Sequence, residues 1–365
     1  MTASMTAHSP ISVVLLGYGL AGRVFHAPLI EATPGLSLDA IVTRDPQRKE
    51  RALATYPQVT LYDSPEQAWA AGHDLAVVAT PNVTHLPYSH AALAAGLHVV
   101  LDKPIAPTAK DARALAEAAE AADRLLIPFQ NRRWDSDFLT ASRVAADDGI
   151  GNVHRFESRI ERMRVVPKPG WRGSTDPADM GGMLYDLGAH LVDQALRLMG
   201  PVVSVEATVR SLRGVSDDDV VLLLRHASEA ISVLVASQLG AFDGPRMTLY
   251  GTRGGLRVEA SDSQESALAA GRTLSGDDWG REPDSSNARL RQYSPESVVT
   301  ERLIPLERGA WPAFYTGVED ALHNGAAAPV LIGDVVEDLR VLDAARQSAA
   351  TGQSVRLDPP AGHLA

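Results

Sequence analysis

Four groups of residues in this chain have types and spacings that could do chemistry. The first is Gly17-Tyr18-Gly19-Leu20-Ala21-Gly22, a GxGxxG pattern that directly follows the apolar run Ile11–Leu16 and opens a helical pattern. In that setting the first glycine permits a tight turn, the second lets backbone approach a pyrophosphate, and the third packs helix on strand. The helix N-terminus then offers unpaired N–H groups to phosphate. The second group is Thr80-Pro81-Asn82 with His85, and the third is Asp102-Lys103-Pro104. Both stand at the carboxyl ends of apolar runs, where ligands bind in open α/β sheets. Taken bare, a lone lysine such as Lys103 is more often a surface residue than a catalyst. The fourth group is the stretch 181–190, in which Asp186 and His190 stand four apart on a helical pattern and share a face. A carboxylate beside an imidazole fixes its tautomer and raises its basicity, which suits a general acid–base pair. An exposed i,i+4 pair fits the same spacing equally well.

Cofactor choice should be readable one strand further on. A chain that binds NAD usually carries Asp or Glu about 20 residues beyond the glycine pattern, to bond the ribose 2′-hydroxyl. Thr43 and Arg44 hold that place here. A guanidinium pairs with a 2′-phosphate and stacks on adenine, so NADP is favoured. NAD stays open, because Arg44 also reads as a solvated loop arginine. Asp45-Pro46 has the form of an N-cap followed by an N1 proline.

Composition narrows the chemistry. The 365 residues include 34 Lys plus Arg against 45 Asp plus Glu, a net charge of −11, and no cysteine. Disulfides, thiolate nucleophiles, iron–sulfur clusters and cysteine-ligated zinc are therefore excluded. The acidic balance argues against broad binding to nucleic acid or anionic membranes. No His, Asp or Glu grouping makes a clear metal site. No apolar run reaches the roughly 18 residues of a membrane span. The polar first ten residues lack an apolar signal core, so the cytoplasm is the expected compartment.

These groups need elements to position them. The runs Ile11–Leu16, Leu36–Val42, 75–79, 97–101 and 125–129 suit strands buried on both faces. Helical patterns at 21–31, 46–56, 84–95 and 108–122 separate them. Residues 1–128 are thus expected to form a Rossmann domain, with a doubly wound parallel sheet. The pattern then changes. A helix at Ser136–Ala146, a strand at 153–162 and a helix at 183–199 precede strand-like runs at 202–211, 220–226, 229–238, 246–250 and 256–259. Residues 129–365 are expected to be an α+β domain with a large, open, mostly antiparallel sheet. The stretch 261–310, rich in Ser, Asp, Gly, Arg and Pro, predicts little regular structure beyond a short helix at 263–270. Helices at Pro312–Asn324 and 334–350 close the chain. An open sheet exposes an apolar face, so a homodimer or homotetramer is expected.

The chain resembles the Gfo/Idh/MocA oxidoreductases, named for glucose–fructose oxidoreductase and inositol dehydrogenase, over nearly its whole length. The resemblance is carried by GYGLAG, TPNVTH, DKP, Asp186-x-x-x-His190 and the closing LRVLDAARQSAATGQSV. Within the family it is most similar to the NADP-type scyllo-inositol dehydrogenases, through GYGLAGRVFHAPL, FQNRRWDSDFL, the pair Trp171-Arg172, GMLYDLGAH and the stretch 270–280. The resemblance implies hydride transfer between nicotinamide C4 and a secondary alcohol or ketone of a cyclic polyol or sugar, an inositol first. An aldose or other sugar dehydrogenase, or a regulator that binds NADP without catalysis, are the alternatives. The resemblance makes Lys103, Asp186 and His190 catalytic, with His190 as the proton acceptor, Asp186 orienting it and Lys103 on the reacting oxygen. Asp102 stands where the family carries glutamate. Implied cofactor contacts are Gly17 through Gly22, Thr43, Arg44, Thr80, Pro81, Asn82, His85, Asp102, Lys103, Asn131, Trp171 and Arg172. Implied substrate contacts are Lys103, Asn131, Arg132, Tyr185, Asp186 and His190.

Overall fold

Strands rich in Val, Leu and Ile build the first sheet. In the computed structural model, which describes residues 9–166, 173–176, 179–296 and 298–358, they are β1 (Ile11–Leu16), β2 (Leu36–Val42), β3 (Thr60–Tyr62), β4 (Leu75–Val78), β5 (His98–Asp102) and β6 (Leu126–Phe129). All pairs are parallel, in the order β3-β2-β1-β4-β5-β6. Helices cover both faces, so β4 (LAVV) is buried along its whole length. The strand order reverses between β1 and β4, and the crevice at their carboxyl ends is the ligand position of such sheets. This is the Rossmann arrangement that the sequence predicts. Among the strands only β3 is new, its three residues being too few to show a period, and the five-residue helix Pro65–Trp69 that follows it is new as well.

Local chemistry starts the helices where the sequence places them. Asp45 caps Pro46–Thr55, its Oδ1 accepting from the backbone N–H of Gln47 at 2.9 Å and of Arg48 at 3.1 Å. Thr108 caps Ala109–Ala121 by accepting from Asp111 N–H at 3.2 Å. The helix after the glycine turn begins as a π-helical turn, Ala21–His26, and continues as Ala27–Glu31.

The second sheet has nine strands: β7 (Val153–Glu161), β8 (Val202–Arg210), β9 (Asp219–His226), β10 (Ile231–Ser237), β11 (Met247–Gly251), β12 (Gly254–Val258), β13 (Ala288–Tyr293), β14 (Val299–Ile304) and β15 (Val355–Arg356). Their order is β14-β13-β12-β11-β7-β10-β9-β8-β15, antiparallel throughout except for β7 beside β10. One face packs on the helices Ala189–Met199 and Ile332–Thr351. The other is open, which produces alternation such as buried Val220, Leu222 and Leu224 around exposed Val221 in β9.

The stretch 261–310 corrects the expectation of little regular structure. It holds β13 and β14 as well as the helix Gln264–Ala269. β14 is the edge strand and β13 its neighbour, and both have charged faces, Arg289 and Arg291 pairing with Glu301, so their composition imitates a loop.

The two sheets are tied together. Ile332–Thr351 packs on β8, on β6 and on Ala109–Ala121, and Pro312–Asn324 packs on Ala27–Glu31. A buried guanidinium adds a polar tie, Arg133 bonding both oxygens of Asp193 at 3.0 Å through Nε and Asp334 at 2.9 Å through Nη1. No helix among the described residues is long and apolar enough to cross a membrane.

Candidate active site

A cavity of about 440 Å³ runs between the two sheets. The glycine turn forms one end. Gly17 has φ +91°, and a Cβ there would lie 2.6 Å from the carbonyl oxygen of Ala79. A Cβ at Gly22 would lie 2.0 Å from the oxygen of Gly17. Both glycines are dictated by the packing of turn, strand and helix. Gly19 is different, since a Cβ there would meet nothing nearer than Arg48 Nη1 at 3.9 Å. The protein's own packing does not require a glycine at 19. Bare backbone facing an open cleft is what close approach by a pyrophosphate requires, and the turn fits a dinucleotide.

Leu20 and Ala21 line the same end, whereas Tyr18 is turned into the core and Thr43 is buried behind the turn. Arg44 is exposed and donates through Nε to Asp63 O at 3.0 Å, while Arg48, one helical turn further, lines the cleft.

At the ends of β4 and β5, Thr80, Pro81 and Asn82 face the cavity. Asn82 also crosses to the second domain, donating through Nδ2 to Met180 O at 3.1 Å. His85 lies behind this wall, Nδ1 against Pro104 O at 2.8 Å and Nε2 against Thr80 O at 3.0 Å. Burial pulls its pKa down, and a neutral ring can donate to only one of these carbonyls. Its role is to hold the two strand ends together.

Asp102 Oδ1 accepts from the backbone N–H of Lys103 at 2.8 Å, and its Oδ2 stands 3.8 Å from Nε2 of the buried His26. Nδ1 of His26 meets the hydroxyl of Tyr315 at 2.7 Å. Burial pushes the Asp102 carboxyl up, but His26, Lys103 and His85 outweigh it and hold the group below the usual carboxylate range.

Lys103 Nζ donates to the carbonyl oxygen of Asp186 at 2.7 Å and to its Oδ1 at 2.9 Å. Asp186 sits in a second π-helical turn, Leu184–Gly188, which leads into Ala189–Met199. The sequence pairs Asp186 with His190 as its orienting group; here Asp186 Oδ1 bonds Lys103 and His190 Nδ1 meets Gln130 Oε1 at 3.0 Å. The π-helical turn breaks the regular 3.6-residue period that the spacing argument assumes.

Gln130 itself is fixed, because its Nε2 donates to Asp338 Oδ2 at 3.2 Å. Its oxygen therefore faces His190, Nδ1 carries the proton, and Nε2 is left with a lone pair. Burial, followed by Lys103 and Arg132, pulls His190 well below the usual histidine range, against an opposing pull from Asp186. A neutral imidazole with a bare Nε2 and an ammonium with a donor to spare thus line one cleft, which suits proton transfer at an oxygen atom.

Asn131 and Arg132 line the cleft as well, Arg132 pairing with Asp135 at 3.0 Å and Glu265 at 2.8 Å. Tyr185 corrects the expectation of a substrate contact. It is buried away from the cavity and donates to Pro107 O at 2.6 Å, with burial raising its pKa to about 12. Trp171 and Arg172 lie outside the described residues.

Sequence reasoning passed over Gln130, Arg48, Arg162 and Arg164, all of them near or in the cleft. Gln130 was findable, because it directly follows β6 as Lys103 follows β5. No group of three or more His, Asp or Glu able to hold a metal occurs among the described residues.

Comparison with known proteins agrees with this architecture. Residues 11–129 match the family model described as an oxidoreductase family with an NAD-binding Rossmann fold. Residues 138–257 match the GFO/IDH/MocA C-terminal domain. The oxidoreductase YdgJ of Escherichia coli is 36% identical over 341 residues, spanning 93% of this chain and 96% of its own length. The scyllo-inositol 2-dehydrogenase (NADP+) IolW of Bacillus subtilis is 30% identical over 350 residues, spanning 95% of this chain and 96% of its own. The structure of the oxidoreductase YPO2259 from Yersinia pestis superposes with a TM-score of 0.89 at 36% identity, covering 96% of this chain and 98% of that one.

Proposed function

Because the chain belongs to the Gfo/Idh/MocA family of oxidoreductases and carries its NAD-binding Rossmann domain, we propose that it is an NADP-dependent dehydrogenase. Its substrate on this reading is a secondary alcohol of a cyclic polyol or sugar, with an inositol as the first candidate. One observation carries it: the glycine turn, the Lys103–Asp186 pair and the His190–Gln130 pair open into a single cleft. IolW, whose name specifies NADP+ and scyllo-inositol, supports the choice of cofactor and substrate.

Gly17, Gly19, Leu20 and Ala21 would hold the pyrophosphate, and Arg44 with Arg48 the 2′-phosphate. When bound, the nicotinamide supplies the hydride acceptor at C4. Lys103 has three N–H donors, and two are used by Asp186. The third donates to the reacting oxygen and stabilises the developing alkoxide. Nε2 of His190 takes the hydroxyl proton as the C–H bond gives up its hydride, leaving a ketone; in reduction the same nitrogen returns the proton. Asp186 holds the ammonium in place, and Gln130 holds the imidazole in the tautomer that can accept. The open face of the nine-stranded sheet, with Val203 and Val221 exposed, is covered by a second copy on this reading.

The test is formation of reduced cofactor from a panel of inositols and sugars, with NADP+ and NAD+ in parallel. Lys103→Ala and His190→Ala are each expected to lower turnover by about 10²-fold or more while NADP+ binding survives. Unchanged turnover in either variant would overturn the assignment.

A further inference from the structure

Two arginines on the second domain's side of the cleft have no role in the scheme above. Beyond the end of β7 the chain stays extended. Arg162 N–H donates to Ser237 O at 3.0 Å, Met163 bridges to Leu239, and Arg164 N–H donates to Gln238 O at 2.8 Å. Side chains alternate along extended backbone, so Arg162 and Arg164 share one face and Met163 takes the other. That face is the cleft, and both arginines line it together with Lys103, Asp186 and His190.

Both are half-buried, and neither guanidinium makes a hydrogen bond or ion pair with any group among the described residues. The carboxylates of the cleft are engaged elsewhere: Asp186 with Lys103, Glu265 with Arg132, and Asp102 with the backbone of Lys103. Burial, followed by the neighbouring Arg164, pulls Arg162 below the usual arginine range, and the carboxylates of Glu265 and Asp186 only partly oppose it. Among the described residues, five cations thus face three carboxylates in the cleft of a chain whose net charge is −11. Two adjacent, partly desolvated like charges without a counter-ion are unfavourable, and an anion between them reverses the sign. Guanidinium forks match the oxygens of a carboxylate or phosphate. The glycine turn that suits the cofactor's pyrophosphate belongs to the other sheet, whereas these arginines share their side of the cleft with the helix that carries Asp186 and His190.

We propose that Arg162 and Arg164 form an anion subsite, and that the substrate is a sugar or polyol, an inositol ring included, that bears a carboxylate or phosphate. The proposal rests on the dehydrogenase reading, and it names that reading's substrate class.

The experiment is calorimetry on the full chain saturated with NADPH, which leaves an alcohol probe no hydride acceptor, with probes that share a ring and differ in charge. D-glucose, D-glucuronate and D-glucose 6-phosphate form one set, and myo-inositol with myo-inositol 1-phosphate the other. At least one charged member is expected to bind tenfold or more tightly than its neutral parent. The glucuronate and phosphate arms distinguish carboxylate from phosphate. In Arg162→Gln/Arg164→Gln the preference should shrink below threefold while NADP+ affinity holds, which also reports folding. Arg162→Lys/Arg164→Lys should retain part of it. Equal binding of charged and neutral probes, failure of every charged probe to bind, or a preference that survives the double variant would each overturn the subsite. Binding is read without turnover, so the two readings fail separately. A tightly bound charged probe that yields no reduced cofactor sinks the dehydrogenase, and a neutral probe that binds and turns over as well as its charged partner sinks only the subsite.

Discussion

Replacing Gln130 with leucine tests the proton-handling part of the site most directly. Leucine is close to glutamine in size, but it removes the oxygen that holds Nδ1 of His190 at 3.0 Å and the amide that donates to Asp338 at 3.2 Å. His190 is 3% exposed, so no bulk water replaces the lost acceptor. Leaving a buried donor unpaired costs about 1–3 kcal/mol. The ring can escape that cost by moving its proton to Nε2 or by rotating, and either change takes the lone pair from the reacting oxygen. If the full cost appears in the barrier, turnover falls roughly 5- to 150-fold, at 1.36 kcal/mol per factor of ten. The assay is kcat with saturating NADP+ and the best substrate of the panel, for Gln130→Leu in the parent and in the His190→Ala background. A residue that acts through His190 loses its effect once His190 is gone. A kcat within twofold of the parent would refute the reasoning, and so would an equal loss in both backgrounds.

Two further outcomes follow from the same geometry. Alcohol oxidation needs the unprotonated Nε2, and His190 is held well below 6.5, so kcat/KM for oxidation should stay flat as pH falls through 6.5 and decline only lower. Asp186→Asn removes the charge that opposes the downward pull and should move this limb to still lower pH; a limb that moves upward contradicts the assignment. Arg133→Met strands Asp193, 2% exposed, without its guanidinium and should cost about 3–5 kcal/mol in denaturant unfolding, so unaltered stability would remove Arg133 as the clamp that joins the segment after β6 to the helices Ala189–Met199 and Ile332–Thr351.

The Rossmann half was legible because its signals are local. Strands buried on both faces must be apolar runs, and a turn that meets a phosphate must carry glycines, so β1, β2 and the glycine pattern announce themselves over a few residues. Asp45-Pro46 likewise marks its helix start by hydrogen bonds to the next two or three N–H groups. The edge strand β14 and its neighbour β13 were illegible, since solvent covers much of both and their stability comes from cross-strand pairs such as Arg291 with Glu301. The same limit applies inside the site. Lys103, Asp186 and His190 point to proton and oxygen chemistry by their side-chain types alone.

Which of them touch is another matter. Lys103 meets Asp186 across 83 residues, and His190 meets Gln130 across 60. No spacing rule reaches that far, because the contacts exist only after two sheets have packed and a π-helical turn has re-aimed one helix. Residue order alone specified the cofactor-binding half and the kinds of groups available for catalysis. Packing of the two sheets and their helices set the pairing that selects the tautomer of His190, turned Tyr185 out of the cleft and left Arg162 and Arg164 facing into it without a counter-ion among the described residues. Those outcomes depend on distance and burial, which no stretch of chain encodes locally.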